Sequence, residues 1–293
     1  MLMGQDLLKN KKVIVGSVAV GEYTNYGNRL IEQSIFSLLN LPDTTPRFSV
    51  FEPISDELVE FINSHDYLII TGCTTLQDDP GHQQCFDARF ERLKPRKICF
   101  GAGFYCEADD APALRIARMY DAPLGVRDPW TAEYLTRHGV ENALIGCPTV
   151  IDQPERTSWI DAPDGMILIS SSPPIELKGP DRPDPHRARY VKHDPWSAGE
   201  ELRDAGVFEG VSLVLTGRLH GALPAIARGI RVRFYGREQW HDDYRKHLWG
   251  NVRYSLLSYL GIDLCGNDNP VYPAATIATL KESYRTWLRT ALG

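Results

Sequence analysis

The sequence lacks any long apolar run. No stretch reaches the roughly 18 to 20 apolar residues that a membrane-spanning helix needs. The first residues, Met1 to Lys12, lead almost directly into a predicted strand at Val13–Val15 and contain no apolar core of the kind found in signal peptides. We therefore expect a protein without a membrane span that stays in the cytoplasm.

Basic tails and basic runs are also missing. The formal net charge is −6, and 24% of the 293 residues are charged, which is an ordinary globular balance. Binding to a nucleic-acid backbone depends on clustered Lys and Arg side chains, so we expect no nucleic acid as a partner. A homo-oligomer is compatible with the sequence, which does not determine the oligomeric state.

The cysteines lack the spacing of a metal site. None forms a Cys-x-x-Cys pair, and none lies near a His in a zinc-binding pattern. In a chain of this size without a secretion signal, such residues are typically free, buried thiols, and we expect no bound metal. The six are Cys73, Cys85, Cys99, Cys106, Cys147 and Cys265.

Known nucleotide-binding loops are absent as well. The loop after the first predicted strand, Gly16–Arg29, is rich in glycine but matches neither Gly-x-Gly-x-x-Gly nor the Walker pattern. The sequence therefore gives no support for a nicotinamide cofactor or ATP, and we expect no cofactor.

What the sequence does contain is an alternation of short apolar runs and helical patterns. This order indicates an α/β fold with a parallel sheet covered on both faces. The predicted strands of the N-terminal half are Lys12–Gly16, Arg47–Phe51, Asp66–Thr71, Arg96–Phe100, Leu124–Arg127 and Ala143–Gly146. The predicted helices there are Arg29–Leu39, Glu57–Ser64, Cys85–Leu93, Ala111–Tyr120 and Pro129–His138.

The C-terminal half follows a proline-bearing segment, 148–164, that we interpret as the crossing between two domains. Met166–Ser170 starts a second sheet, and Pro173–Pro195 is interpreted as a loop because of its many prolines. Little chain lies between Ser170 and Thr216, so we expect this half to be shortened. Its predicted helices are Glu200–Ala205, Gln239–Leu260 and Ala274–Leu292.

The most informative stretch is the turn at Thr216–Gly217–Arg218–Leu219–His220. An apolar strand, Val211–Leu215, precedes it; a helix of small and apolar residues follows, and then a strand at Arg231–Tyr235. The carboxyl edge of an open α/β sheet is where ligands bind, and the first turn of a helix offers N–H groups to an anion. Arg218 and His220 are thus candidates for binding and acting on a phosphorylated or carboxylated substrate. A lone Arg-x-His is more often an exposed cation beside a core histidine.

The whole phrase from Leu213 to Phe234 resembles the signature of the polysaccharide pyruvyl transferase family. That signature is an apolar strand, a small residue, Arg-Leu-His, a small-residue helix and a Gly before the next strand, and every element is present. The resemblance implies transfer of the pyruvyl group of phosphoenolpyruvate onto sugar hydroxyls, usually as a cyclic ketal. The expected acceptor is a glycan or glycan-lipid.

The resemblance also implies an architecture. We expect two Rossmann-like domains that face each other across a groove, a GT-B-like arrangement, with the boundary dividing residues 1–150 from 151–293. In the family a terminal helix can pack back across this groove, which would be the role of Ala274–Leu292.

Two N-terminal segments resemble the family less closely. Asn25-x-Gly27 matches an Asn-x-Gly-Asp motif, but Asn28 stands where the family has Asp, and an amide cannot act as a base. Gly72 alone remains where the family has a run of glycines that lets backbone approach a ligand. Cys73 lies at a strand's carboxyl end, yet no His or Lys is adjacent in sequence to activate it.

Arg127–Asp128 resembles the family's Arg-(Asp/Glu) turn into a helix. Asp128 is expected to cap that helix, with Pro129 at its first position. Arg127 then faces either the groove or a nearby carboxylate. Arg binds phosphate and carboxylate through paired N–H groups, so Arg218 and Arg127 could divide the two anions of phosphoenolpyruvate. His220 is the expected general acid/base, because imidazole titrates near neutrality.

Two other functions stay open. One is a nucleotide-sugar glycosyltransferase of the same architecture, although no convincing Glu for a ribose lies near the signature helix. The other is a degenerate relative that only binds an anion or a protein, which Asn28 and the loss of glycines around Gly72 favour and which the Arg218 and His220 pair opposes. Trp196 and Trp240 are candidates for stacking on an acceptor sugar, and each is more often a packing residue.

Overall fold

Two parallel sheets with packed helices make up the α/β fold, as the alternating pattern predicted. The computed structural model describes residues 7–20, 26–72, 86, 88–103, 111–170, 183–192, 200–201, 205–235 and 254–293. Its strands are β1 Val13–Ser17, β2 Arg47–Ser49, β3 Tyr67–Thr71, β4 Arg96–Phe100, β5 Leu124–Val126, β6 Asn142–Leu144, β7 Met166–Ser170, β8 Ala188–Lys192, β9 Glu200–Glu201, β10 Val211–Thr216 and β11 Arg231–Phe234. Its α-helices are α1 Tyr26–Leu39, α2 Asp56–Ile62, α3 Ala111–Ala117, α4 Pro129–Arg137, α5 Pro148–Ile151, α6 Leu219–Ala227, α7 Ser255–Tyr259 and α8 Ala274–Leu292.

The first sheet has the strand order β2-β1-β3-β4, and every pairing is parallel. The parallel pair β5–β6 joins it through a bridge between Ala102 and Val126. The second sheet has the order β11-β10-β7-β8-β9 and is parallel throughout. Helical connections let strands that are distant in sequence lie side by side.

Two predictions for the second half are wrong. The expected loop Pro173–Pro195 contains the strand β8, and the expected helix Glu200–Ala205 is instead the short strand β9 followed by a 3-10 turn at Ala205–Phe208. In β8 the prolines flank the strand. Over 188–191, where burial is described, only Val191 is buried and Tyr190 is 58% exposed, so the strand carries little apolar signal. β9 lies at the sheet edge, where charged residues are common. The sheet of this half therefore reaches five strands.

Two predicted helices are only partly present. For Cys85–Leu93 the structure shows a 3-10 turn at Phe90–Arg92, with 85 and 87 outside the described residues. For Gln239–Leu260 the described part is the short helix α7, because 236–253 lie outside. No helix within the described ranges is long and apolar enough to span a bilayer.

One buried apolar cluster joins the two sheets. It contains Val15 and Ile69 of the first sheet and Leu168 and Val214 of the second. Helices α1, α5, α6 and α8 fill the space between them, and α1 contacts α6 directly. Helix α6 begins at Leu219, directly after the turn that ends β10, and α1 is the helix that follows β1 in the chain, so this contact joins one helix from each half.

The terminal helix α8 packs against the first half of the chain. Trp287 donates its indole N–H to the Pro123 carbonyl at 2.6 Å and meets the ring of Phe100 edge-on at 4.7 Å. The Tyr67 hydroxyl donates to the Leu292 carbonyl at 3.0 Å. The terminal helix therefore packs on the N-terminal half of the chain, and its expected course across a groove between two domains stays a prediction.

A polar cluster lies where α1, α5, α6 and α8 meet. The Ser37 hydroxyl donates to Asp152 Oδ1 at 2.7 Å, and Arg228 and Lys281 approach the same carboxylate. Burial raises the pKa of Asp152, and burial lowers the pKa of Lys281. The ionised form of Asp152 therefore destabilises the folded protein relative to its neutral form.

We expect Asp152→Asn to keep or raise the melting temperature at about pH 7. Because the folded-state pKa of Asp152 is above its unfolded value, stability falls as the pH rises from about 4 through the raised pKa. The uncharged amide of the variant removes this pH-dependent loss of stability. The difference in melting temperature from the wild type should vanish near pH 3, where the carboxyl is neutral in both the folded and the unfolded state.

Asp268→Asn is the matched control with the opposite sign. The hydrogen bond from Arg233 lowers the pKa of Asp268, so its contribution is present at neutral pH and is lost as the pH falls through the lowered pKa. Thermal melts across pH 3 to 8 compare the two variants. A destabilised Asp152→Asn protein at neutral pH would contradict the burial argument.

Candidate functional site

The turn between β10 and α6 is held by the hydroxyl of Thr216. Thr216 Oγ1 accepts the N–H of Arg218 at 2.9 Å and donates to the carbonyl of Ser170 on the neighbouring strand. Arg218 is the extended N-cap residue of α6, and its carbonyl accepts the first helical N–H groups, from Gly221 and Ala222. The backbone of Arg218 is thus fixed by bonds on both sides.

Helix α6 approaches its strand closely at Gly221. A Cβ at this position would lie 2.6 Å from Thr216 Oγ1, so only glycine fits without displacing the Thr216 side chain that holds the turn. This explains the small residue after the histidine in the signature. Gly217 and His220 are buried, with 6% of His220 exposed, whereas Arg218 is half-buried.

At the carboxyl edge of the first sheet, hydrogen bonds hold Val18, the residue directly after β1. The Asn28 amide donates to the Val18 carbonyl at 3.0 Å, and the Val18 N–H donates to Thr71 Oγ1 at 2.9 Å. Asn28 and Gly27 are both buried in the first turn of α1. Asn28 therefore has a structural role here, as a hydrogen-bond donor to backbone. Asn25 lies outside the described residues.

Gly72 lies against the backbone of the next strand. A Cβ at this position would be 1.8 Å from the carbonyl oxygen of Phe100 and 2.5 Å from the carbonyl carbon of Gly101. The sequence suggested that this glycine admits a ligand to the backbone. In the structure the close approach of β3 and β4 is sufficient to require it.

Arg127 lies at the end of β5, where its N–H donates to the Ala102 carbonyl at 2.8 Å. Its side chain is 2% exposed, and Nε lies 3.6 Å from Oδ2 of the buried Asp128. The ion pair that the sequence offered as an alternative is therefore present. It leaves the guanidinium at the carboxyl edge of the first sheet.

Asp128 caps α4, as predicted, with Pro129 at the first helical position. Its carboxylate accepts the N–H and hydroxyl of Thr131, at 2.9 and 3.0 Å, and the hydroxyl of Ser255 at 2.9 Å. Ser255 begins α7, and the preceding Tyr254 packs edge-on against Phe234 at 5.0 Å. These contacts connect the Arg127 turn with the end of β11, which pairs with Thr216 of the signature strand.

The structure thus groups the predicted residues at two strand edges. Gly27, Gly72 and Arg127 lie at the carboxyl edge of the first sheet, and Gly217, Arg218 and His220 lie at that of the second. Sequence reasoning assigned no role to Thr216 or Ser255. Thr216 had a local signal, because a hydroxyl residue directly before a Gly-Arg turn can accept a backbone N–H. Ser255 had none, since its partner is far away in the sequence.

Several other candidates lie outside the described residues, namely Cys73, Trp196 and Trp240. Cys99 and Cys147 are buried free thiols, and Cys265 is free and exposed, which corrects the expectation of burial for Cys265. Within the described ranges no cluster of His, Cys, Asp or Glu could hold a metal.

Two cavities occur away from both carboxyl edges. One, of about 470 Å³, lies at the amino end of β1 and is lined by Lys9, Lys11, Lys12 and His65 among others. The other, of about 590 Å³, lies between α8 and β6. We favour the strand edges over these cavities as the candidate site, because the edges place two arginines and His220 beside helix N-termini, which bind anions.

A protein-family comparison finds that a model described as polysaccharide pyruvyl transferase matches residues 25–238. The match includes both strand edges and the complete turn from Thr216 to His220. The comparison with curated proteins gives no match.

Two solved structures show a distant likeness. One is a functionally uncharacterized protein from Klebsiella pneumoniae subsp. pneumoniae, with 14% identity, coverage of 85% of this chain and 89% of the other, and a TM-score of 0.45. The second is the S. aureus MnaA–UDP co-structure, with 11% identity, coverage of 97% and 91%, and a TM-score of 0.45. Neither likeness bears on the function of this chain.

Proposed function

The chain belongs to the polysaccharide pyruvyl transferase family, a family of transferases, and from this premise we propose its reaction. It moves the pyruvyl group of phosphoenolpyruvate onto hydroxyls of a glycan or glycan-lipid acceptor and releases phosphate. The observation that carries the proposal is the placement of Arg218 and His220 at the start of one helix, at the carboxyl edge of a parallel sheet.

The donor carries two anions, a phosphate and a carboxylate. Arg218 and the N-terminus of α6 offer a guanidinium and helix N–H groups to one of them. Arg127, at the edge of the first sheet, serves the other. Its pairing with Asp128 holds the guanidinium in place, as a binding group needs if it is to be preorganised.

His220 is the proton-transfer residue. In forming a ketal, the methylene carbon of phosphoenolpyruvate gains a proton, two acceptor hydroxyls bond to the central carbon, and the bond from that carbon to the phosphate oxygen breaks. The two acceptor hydroxyls release two protons: one equals the proton that the methylene carbon gains to become a methyl group, and the other leaves with the phosphate. An imidazole beside the bound anion can accept and return such protons near neutral pH.

The acceptor enters between two Rossmann-like halves in this proposal. The division falls in residues 148–164, so that residues 1–150 and 151–293 face each other across a groove in a GT-B-like arrangement. The two separate parallel sheets and the contact between α1 and α6 support this division. Arg127 then approaches the donor from one half and Arg218 from the other.

We expect Arg218→Ala to weaken phosphoenolpyruvate binding by ~1.5 to 3 kcal/mol, the range for a hydrogen bond to a charged group. Isothermal titration calorimetry measures the change. Arg231→Ala is the matched control, because Arg231 is an exposed arginine at the opposite, amino end of the same sheet. It should bind the donor like the wild type.

The same titration with Arg127→Ala should show a comparable loss of affinity. It needs a melting curve beside it, because the variant removes the cation 3.6 Å from the buried Asp128 and should lose stability as well. Unchanged affinity in both arginine variants would remove the donor assignment. Binding of a UDP-sugar without binding of phosphoenolpyruvate would favour the glycosyltransferase, and binding without turnover would favour a degenerate relative.

A further inference from the structure

Ser170 is a buried hydroxyl at the carboxyl end of β7, next to the signature turn. The residue is 1% exposed, and its Oγ makes no hydrogen bond with any described residue. Thr216 pairs with it across the two strands, but uses its own hydroxyl on the Ser170 carbonyl, not on Oγ. The proposed function assigns no role to Ser170.

The side chain of Ser170 is directed at the start of α6. It lies on the same face of β7 as Leu168, which belongs to the core beneath that helix. Its Oγ is 3.2 Å from the position that a Cβ on Gly221 would occupy. The hydroxyl therefore lies against the first turn of α6, the helix that begins with Arg218 as its N-cap and has His220 as its second residue.

A buried hydroxyl without a partner is rare and destabilising. An apolar residue such as alanine would fill this place without that cost. The N–H groups at the start of α6 and the Arg218 guanidinium favour a negative charge. The Ser170 hydroxyl lies against this first turn of α6, so its proton is available as a hydrogen-bond donor to an anion bound at the start of the helix.

We propose that Ser170 is a donor-binding residue whose Oγ donates a hydrogen bond to the phosphate of the ligand at the start of α6. This inference rests on the proposed function, since the ligand is phosphoenolpyruvate before the reaction and inorganic phosphate after it. Thr216 positions the turn, and Ser170 contacts the ligand.

The test is isothermal titration of the full chain with phosphoenolpyruvate and, separately, with inorganic phosphate. Ser170→Ala should weaken both by a similar factor, roughly 10- to 100-fold, as expected for one hydrogen bond to a charged group. Its melting temperature without ligand should be unchanged or higher, because the variant removes a buried hydroxyl that has no hydrogen-bond partner among the described residues. A serine with a purely structural role would give the reverse pattern, a lower melting temperature and unchanged affinity.

Ser212→Ala is the matched control. Ser212 lies at the opposite end of the same sheet, where its hydroxyl donates to the Met166 carbonyl at 3.4 Å, and the variant should bind both ligands normally. Unchanged affinity in Ser170→Ala, with a loss in Arg218→Ala, would overturn the role of Ser170 and keep the proposed function. Normal affinity in both variants would overturn both. Weaker binding of phosphoenolpyruvate alone would also overturn the assignment to phosphate.

Discussion

Replacing His220 by glutamine is expected to lower turnover by at least ~10²-fold, because a general acid/base contributes ~10²- to 10⁴-fold in rate. Glutamine keeps polarity and approximate size but cannot exchange a proton near neutral pH. His220 is the second residue of α6, two positions after Arg218. Donor affinity should stay close to that of the wild type, because the cation and the helix N-terminus remain.

The burial of His220 makes a stability measurement part of this experiment. Only 6% of the residue is exposed, so a role in packing predicts a lower melting temperature and a normal rate per folded molecule. Turnover and melting temperature are therefore measured on the same preparation. His138→Gln, at the exposed end of α4, is the control and should change neither. A stable and fully active His220→Gln protein would rule out the proposed mechanism.

Replacing Gly72 by alanine is expected to destabilise the fold by more than about 3 kcal/mol, above the usual range for overpacked sites. The added Cβ would lie 1.8 Å from the Phe100 carbonyl oxygen. Backbone atoms of a strand cannot rotate away as a side chain can, so β3 and β4 must separate. Denaturant unfolding measures the loss.

Gly139→Ala is the control for this substitution. Gly139 has a φ of +68° and open space around its Cβ position, so alanine there costs only the left-handed backbone, roughly 1–2 kcal/mol. If Gly72→Ala were as stable as the wild type but bound phosphoenolpyruvate weakly, Gly72 would serve the ligand instead of the sheet.

The sequence predicted most of the first sheet because its signals are local. Buried parallel strands such as β3 and β4 are short apolar runs, and the predicted and observed bounds differ by one residue or less. The cap at Asp128 was also local, since Asp-Pro specifies both the cap and the first helical residue. The strands β8 and β9 were missed because β8 has little buried apolar surface and β9 consists of two glutamates, so both are recognised only by the strands they pair with.

In the candidate site, too, the features with local sequence signals were predicted and those that depend on distant residues were not. The turn that carries Arg218 and His220 was found from consecutive residues. The ion pair of Arg127 was left as one of two alternatives, because a sequence does not show which way a side chain turns at a strand end. The link from Asp128 to Ser255 joins residues far apart in the chain, and no local pattern encodes it.

By itself, the sequence determined the α/β class, the order of most elements and the position of the Arg-Leu-His turn at a strand end. Burial and turn formation act over a few consecutive residues, so these features are visible in short segments. Only the tertiary structure decided that Phe100 crowds Gly72, that Thr216 fixes the backbone of Arg218, and that Ser170 faces the start of α6. Each of these contacts depends on how the strands and helices pack, because side chains on separate elements meet only when the sheet and its helices have formed.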